Sequence, residues 1–166
     1  MKHLIVALGI CVAAAPAGAA VLDWSAMLDQ AQEVPAPVMV PGAMGAAMGT
    51  IDTVTGDLTW SISYSGLSGA ATGMHFHGPA PVGSTAGVRV NAGAISGLGS
   101  PSAGSTIISA SEIGEMLGGL WYINIHTNLN APGEIRGQVN VVPVPMALPL
   151  FGFALAGLLA VGRRRA

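Results

Sequence analysis

Lysine is missing beyond Lys2, and the single cysteine is Cys11. Without lysine there is no Walker-type phosphate loop and no Schiff-base mechanism, and no G-x-S-x-G elbow offers a serine nucleophile. Charge is equally scarce, at 8% of 166 residues. Between the two ends of the chain the basic residues are Arg89 and Arg136 alone. They face Asp23, Asp29, Glu33, Asp52, Asp57, Glu112, Glu115 and Glu134. That balance repels nucleic acid.

What is abundant at the ends is apolar sequence. Met1-Lys2-His3 is a short basic start, an uncharged run follows over 4–15, and Ala17-Gly18-Ala19 supplies the small residues of a cleavage site. This predicts a signal peptide over 1–19. Cys11 leaves with it, so neither a disulfide nor thiol chemistry is expected in the domain at 20–142. The segment 143–166 completes a Val-Pro-Val-Pro run that starts at Val142, then continues as an uncharged stretch to Gly162 and ends with Arg163, Arg164 and Arg165 ahead of Ala166. A helix over 145–162 would be roughly 27 Å long, close to a ~30 Å hydrocarbon core, with the arginines on the cytoplasmic side. The order resembles the C-terminal sorting tails of bacterial exosortase substrates, the VPLPA variety of PEP-CTERM-like signals. Val144 stands here for Leu and Met146 for Ala. The resemblance implies signal peptidase and an exosortase-type enzyme as processing partners. It also implies membrane attachment through the C-terminal helix before processing, and a final place in the cell envelope, on the cell surface or in the extracellular matrix.

The middle of the chain alternates with period 2. Leu58, Trp60, Ile62 and Tyr64 interleave with Thr59, Ser61 and Ser63, and Leu22, Trp24, Ala26 and Leu28 repeat the pattern. Thr55-Gly56 reads as a turn after a strand at 46–54. Further strands are expected at 71–77, 87–91, 120–127 and 134–141, separated by Gly, Pro and Ser. Pro35, Pro37 and Pro41 make the segment after the first strand a loop or an edge. Ser109 to Glu112 forms a capping box ahead of Ile113, Met116 and Leu117, with Gly118-Gly119 as the stop. The expected fold is all-β: an immunoglobulin-like or Greek-key β-sandwich or barrel with one short helix, plus the C-terminal transmembrane helix.

Strand phase then sorts the side chains. Met74 and Phe76 share one face, and His75 and His77 the other. Trp121, Ile123 and Ile125 oppose Tyr122, Asn124 and His126. Ile135, Val139 and Val141 oppose Glu134, Arg136, Gln138 and Asn140. A short 128–133 loop makes the last two strands an antiparallel hairpin. His126, Glu134 and Arg136 are then expected as neighbours on a polar face, and Gly137 is expected to admit Trp121. The indoles of Trp24, Trp60 and Trp121 are all expected in the core.

Three stretches carry a resemblance: WSAMLDQAQEVPAP at 24–37, YSGLSGAATGMHFHGPA at 64–80 and LWYINIHTNLNAPGEIRGQV at 120–139. The sequence resembles the CHRD domain, named after chordin. The resemblance implies an immunoglobulin-like β-barrel and an extracellular binding or structural module, not an enzyme.

Two clusters carry chemistry beyond that. His75, His77 and His126 remain after signal removal, and three imidazoles suffice for copper or zinc with an open position. Glu134 is a candidate fourth ligand. Both His77-Gly78-Pro79 and His126-Thr127-Asn128 also lie where strands give way to loops, so the imidazoles equally suit loop-ordering hydrogen bonds. The pattern resembles Cu/Zn superoxide dismutase, but the further histidines and the disulfide of that enzyme are missing. Met39, Met44 and Met48 form the second cluster; thioethers are soft ligands for Cu(I) and also fill apolar gaps.

Overall fold

A computed structural model describes residues 21–142. The expected signal peptide and sorting tail lie outside the described residues. Among the described residues no helix is long and apolar enough to cross a membrane. The elements run β1 (Val21–Asp29), β2 (Met44–Asp52), β3 (Asp57–Ser65), β4 (Ala71–His77), β5 (Val88–Val90), α1 (Ala92–Ser96), β6 (Ser102–Ile107), α2 (Ala110–Leu117), β7 (Tyr122–Thr127), β8 (Ile135–Gln138) and β9 (Asn140–Val141). The strands form one antiparallel sheet in the order β5-β4-β7-β8-β1-β2-β3-β6, with β9 also pairing β1. The protein is mostly β, and the sheet curls into a half-barrel around its apolar face.

Aromatic residues dominate that inner face. Phe76 is fully buried, and its ring lies 5.6 Å from Trp24, 5.7 Å from Trp60 and 6.1 Å from Trp121. All three expected core indoles are at most 3% exposed. Each has room because a glycine faces it. A Cβ on Gly49, Gly104 or Gly78 would come within 2.8 Å of Trp24, Trp60 or Trp121 respectively. The indole N–H groups are satisfied in turn: Trp24 donates to the Thr59 carbonyl, Trp60 to Ser96 Oγ and Trp121 to Glu115. Burying an indole requires such a partner.

Two elements were not expected. The β6 strand, SAGSTI, has no apolar alternation to reveal it, yet it pairs with β3 along its whole length. The short α1 helix is capped by Asn91, whose side chain accepts from Ala94 N–H at 3.0 Å, and it ends in Ser96, the partner of Trp60. The one short helix expected within the domain is therefore one of two among the described residues. The α2 helix starts with the predicted capping box and buries Ile113 and Met116, while Leu117 stays 45% exposed. Gly56 adopts φ +77° in the β2–β3 turn, as the Thr55-Gly56 signal requires. Gly137 does not make room for Trp121. Strand β1 passes there, and a Cβ would lie 2.5 Å from the Met27 carbonyl oxygen.

Candidate metal centre

Strand β4 reads its two faces literally. Met74 and Phe76 go fully into the core, so Gly73, His75 and His77 must face outward. The register with β7 sets His77 opposite Tyr122, His75 opposite Asn124 and Gly73 opposite His126. Gly73 matters because it has no side chain. A Cβ there would lie 2.9 Å from the His75 ring and 3.1 Å from the His126 ring. The His126 imidazole leans over the bare glycine and meets its diagonal neighbour, with His75 Nδ1 and His126 Nε2 at 3.0 Å.

The structure brings the three histidines together, each half-buried, with one ring nitrogen from each within 4.8 Å of the others. Ligands at 2.0–2.1 Å around a tetrahedral ion sit about 3.4 Å apart. His75 Nδ1 and His126 Nε2 are already that close, but a hydrogen lies between them, so an ion there would replace it and His75 would carry its proton on Nε2 instead; the wider separation closes with ring movements of about an ångström.

The choice between loop ordering and metal ligation dissolves once the two ring nitrogens are considered separately. His77 Nδ1 lies 2.9 Å from the Ala86 carbonyl oxygen, and His126 Nδ1 lies 2.9 Å from that of Ala131. A carbonyl only accepts, so both Nδ1 atoms carry the proton and both Nε2 atoms carry the lone pair. Ordering the 78–87 and 128–133 loops thus presents Nε2 as a ligand, the same carbonyl support that metal-bound histidines use. His77 Nε2 is buried and has no hydrogen-bond partner. Burial, with the neighbouring His126 and His77 charges adding to it, lowers the His75 pKa to about 4. Burial lowers that of His77 as well, against the opposing Ala86 bond. Both rings are neutral at pH 7, the form that binds metal.

Glu134 does not join them. It is fully buried, and it accepts from Ser68 N–H at 2.6 Å, Ser68 Oγ, Thr127 Oγ1 at 2.5 Å and Asn130 Nδ2 at 3.2 Å. Burial raises its pKa, but these donors outweigh it and hold the carboxyl below the usual glutamate range. Its lone pairs are spent on pinning the loop before β4 to the β7–β8 turn. Nor does Glu134 pair with Arg136, as the expected polar face implied. The Arg136 guanidinium lies 3.6 Å above the Tyr122 ring, and His77 stacks on that ring at 4.9 Å.

The face expected to be a polar surface is itself buried. Asn124, Glu134, Arg136 and Gln138 are all less than 10% exposed. The loops after β1 and β4 cover them: Gln32 accepts from Gln138 N–H, Glu33 accepts from Asn124 Nδ2, and Ala80 accepts from Gln138 Nε2. Sequence reasoning missed Glu33, whose signal was a carboxylate ahead of a proline-rich loop. It also missed Gly73 as the spacer that lets two rings meet.

The family model described as CHRD domain matches residues 24–139. No curated protein and no solved structure matches the chain.

Proposed function

Because this chain belongs to the CHRD-domain family, we propose that it is an exported, non-enzymatic module that holds a copper(II) or zinc(II) ion on His75, His77 and His126. CHRD domains are extracellular-type modules found generally in secreted proteins, and the family is not known as enzymatic. The signal-like start and the sorting-type tail support delivery to the bacterial cell surface or matrix.

One observation carries the metal reading. A buried imidazole lone pair, His77 Nε2, has no donor to accept from and lies beside two further ring nitrogens. A buried acceptor left without a partner is costly, and a cation shared with His75 and His126 would satisfy it. Three imidazoles without a carboxylate suit copper and zinc better than magnesium or calcium, and leave a coordination position for water or a small ligand.

The test is calorimetric titration of the full chain with Cu(II) and with Zn(II). His75→Ala is the informative variant, because His75 bonds no loop carbonyl and meets only its fellow imidazoles. We expect one tight equivalent in the wild type and a loss of at least about a hundredfold in the variant, with unchanged thermal stability in the metal-free state. His77→Ala should lose both metal affinity and the order of the 78–87 loop. Equal binding by wild type and His75→Ala would overturn the proposal and leave the imidazoles as loop anchors.

A further inference from the structure

Met39, Met44 and Met48 do not gather on one ion. Met44 and Met48 stand four residues apart on β2, about 13 Å at the rise of a strand, and Met39 lies in the loop after β1. Any preference for one charge state of copper therefore rests with the histidines and the charges around them. One such charge is Arg136.

Strand β7 runs between β4 and β8, so the Tyr122 ring stands between His77 on one side and Arg136 on the other. His77 stacks on that ring within 6° of parallel at 4.9 Å, and the Arg136 guanidinium carbon lies 3.6 Å from its centroid. Those two distances, end to end, bound the separation of the charge from the His77 ring. Arg136 is 1% exposed, and its Nη1 is buried without a hydrogen-bond partner. Among the described residues the one ion pair is Arg89 with Glu115, so no carboxylate neutralises Arg136 by contact. Glu33 is the carboxylate that faces it, and burial keeps Glu33 protonated to about pH 7. Burial lowers the Arg136 pKa, yet a guanidinium stays charged in proteins.

A buried positive charge repels whatever cation the histidines hold. It already disfavours a proton there: burial is the main cause of the low His77 pKa, and the His126 and Arg136 charges add to it against the Ala86 bond. The repulsion scales with the charge of the ion. We propose that Arg136 biases the histidine site toward the ion of lower charge, copper(I) over copper(II), a proposal that rests on the histidine-metal reading above. Over about 10 Å at an effective dielectric constant near 20, one unit of charge difference corresponds to roughly a tenfold change in relative affinity.

The experiment measures the affinities of the full chain for Cu(II) and, anaerobically, for Cu(I), at pH 8 by competition with chromophoric chelators. The readout is the ratio of the two affinities, because a merely structural loss weakens both. Arg136→Gln should raise the Cu(II)-to-Cu(I) ratio about tenfold and tighten Cu(II) binding outright, whereas lost support for the site would loosen it. Arg136→Lys keeps the charge and should keep the ratio. Glu33→Gln removes the facing carboxylate, which is ionised at pH 8, and should move the ratio the other way by about threefold. This second variant carries the test if Arg136→Gln does not fold. An unchanged ratio, or two affinities that fall together, would overturn the proposal and leave the metal reading standing. No copper binding by the wild type would overturn both.

Discussion

Glu33 should make the domain less stable as the pH rises through neutrality. The residue is 4% exposed, its carboxylate accepts from Asn124 Nδ2 at 2.8 and 2.9 Å and from Val34 N–H at 3.1 Å, and burial still pushes its pKa from 4.5 up to about 7. The Val34 bond, the Arg136 charge and the Asn124 bond pull the other way without prevailing. The unfolded chain releases this proton near pH 4.5 and the folded chain near 7, so between those values the folded state binds more protons. Stability is then fully present below pH 4.5, falls between 4.5 and 7, and levels off above. The gap corresponds to at most about 3 kcal/mol, and screening by water at the loop reduces this to roughly 2 kcal/mol. His75 works in the opposite sense. Its depressed pKa gives stability that is present above pH 6.5 and lost as the pH falls toward 4. A wild-type profile alone would mix the two, so the measurement is a difference: urea melts of wild type and Glu33→Gln at pH 5 and pH 8. The wild type should lose roughly 2 kcal/mol more than the variant over that interval. Parallel profiles would refute the burial argument.

Gly73→Ala should separate the site from the fold. The nearest neighbours of the new methyl are ring atoms, of His75 at 2.9 Å and His126 at 3.1 Å, so stability should fall by no more than about 1 kcal/mol while Cu(II) or Zn(II) affinity falls about tenfold. A variant that binds metal as the wild type does would show that the ring contact is irrelevant to ligation. For export, intact-mass spectrometry of protein from its native host should give a chain lacking residues 1–19 and the segment after Pro145. A mass that includes Arg163 to Arg165 would establish a retained anchor instead.

The parts of the fold legible in the sequence were those governed by period 2. Alternation placed Trp24, Trp60 and Trp121 in the core and set His75 and His77 on one face, because a strand phase fixes every side chain at once. Alternation says which side a residue takes, but not what covers that side. Strands β7 and β8 lie in mid-sheet under the loops after β1 and β4, so Asn124, Arg136 and Gln138 read as surface residues and are buried. Contacts between strands were less legible still. The meeting of His126 with His75 depends on Gly73 facing His126, and that register follows an irregularity between Ala71 and Gly73 that no local signal marks. Glu134 was misassigned because its partners, Ser68, Thr127 and Asn130, converge from three separate segments.

The histidine cluster and the aromatic core belong to one strand, and that has a physical consequence. Phe76 stands between His75 and His77, and its ring is held by three indoles, each seated on a glycine and each with its N–H bonded. Displacing the β4 backbone would disturb all of those contacts at once, so the Cα positions of both histidines are fixed by packing that has nothing to do with a ligand. The rings are fixed less tightly. His77 is bonded through Nδ1 and stacked on Tyr122, His126 is bonded to a loop carbonyl through Nδ1 and to His75 through Nε2, and His75 meets only the other two. Rigid backbone with graded ring freedom would let three nitrogens within 4.8 Å close on one ion by side-chain rotation. Ligation as proposed would then cost little conformational entropy in the backbone, and it would draw most on His75, the ring with the fewest commitments.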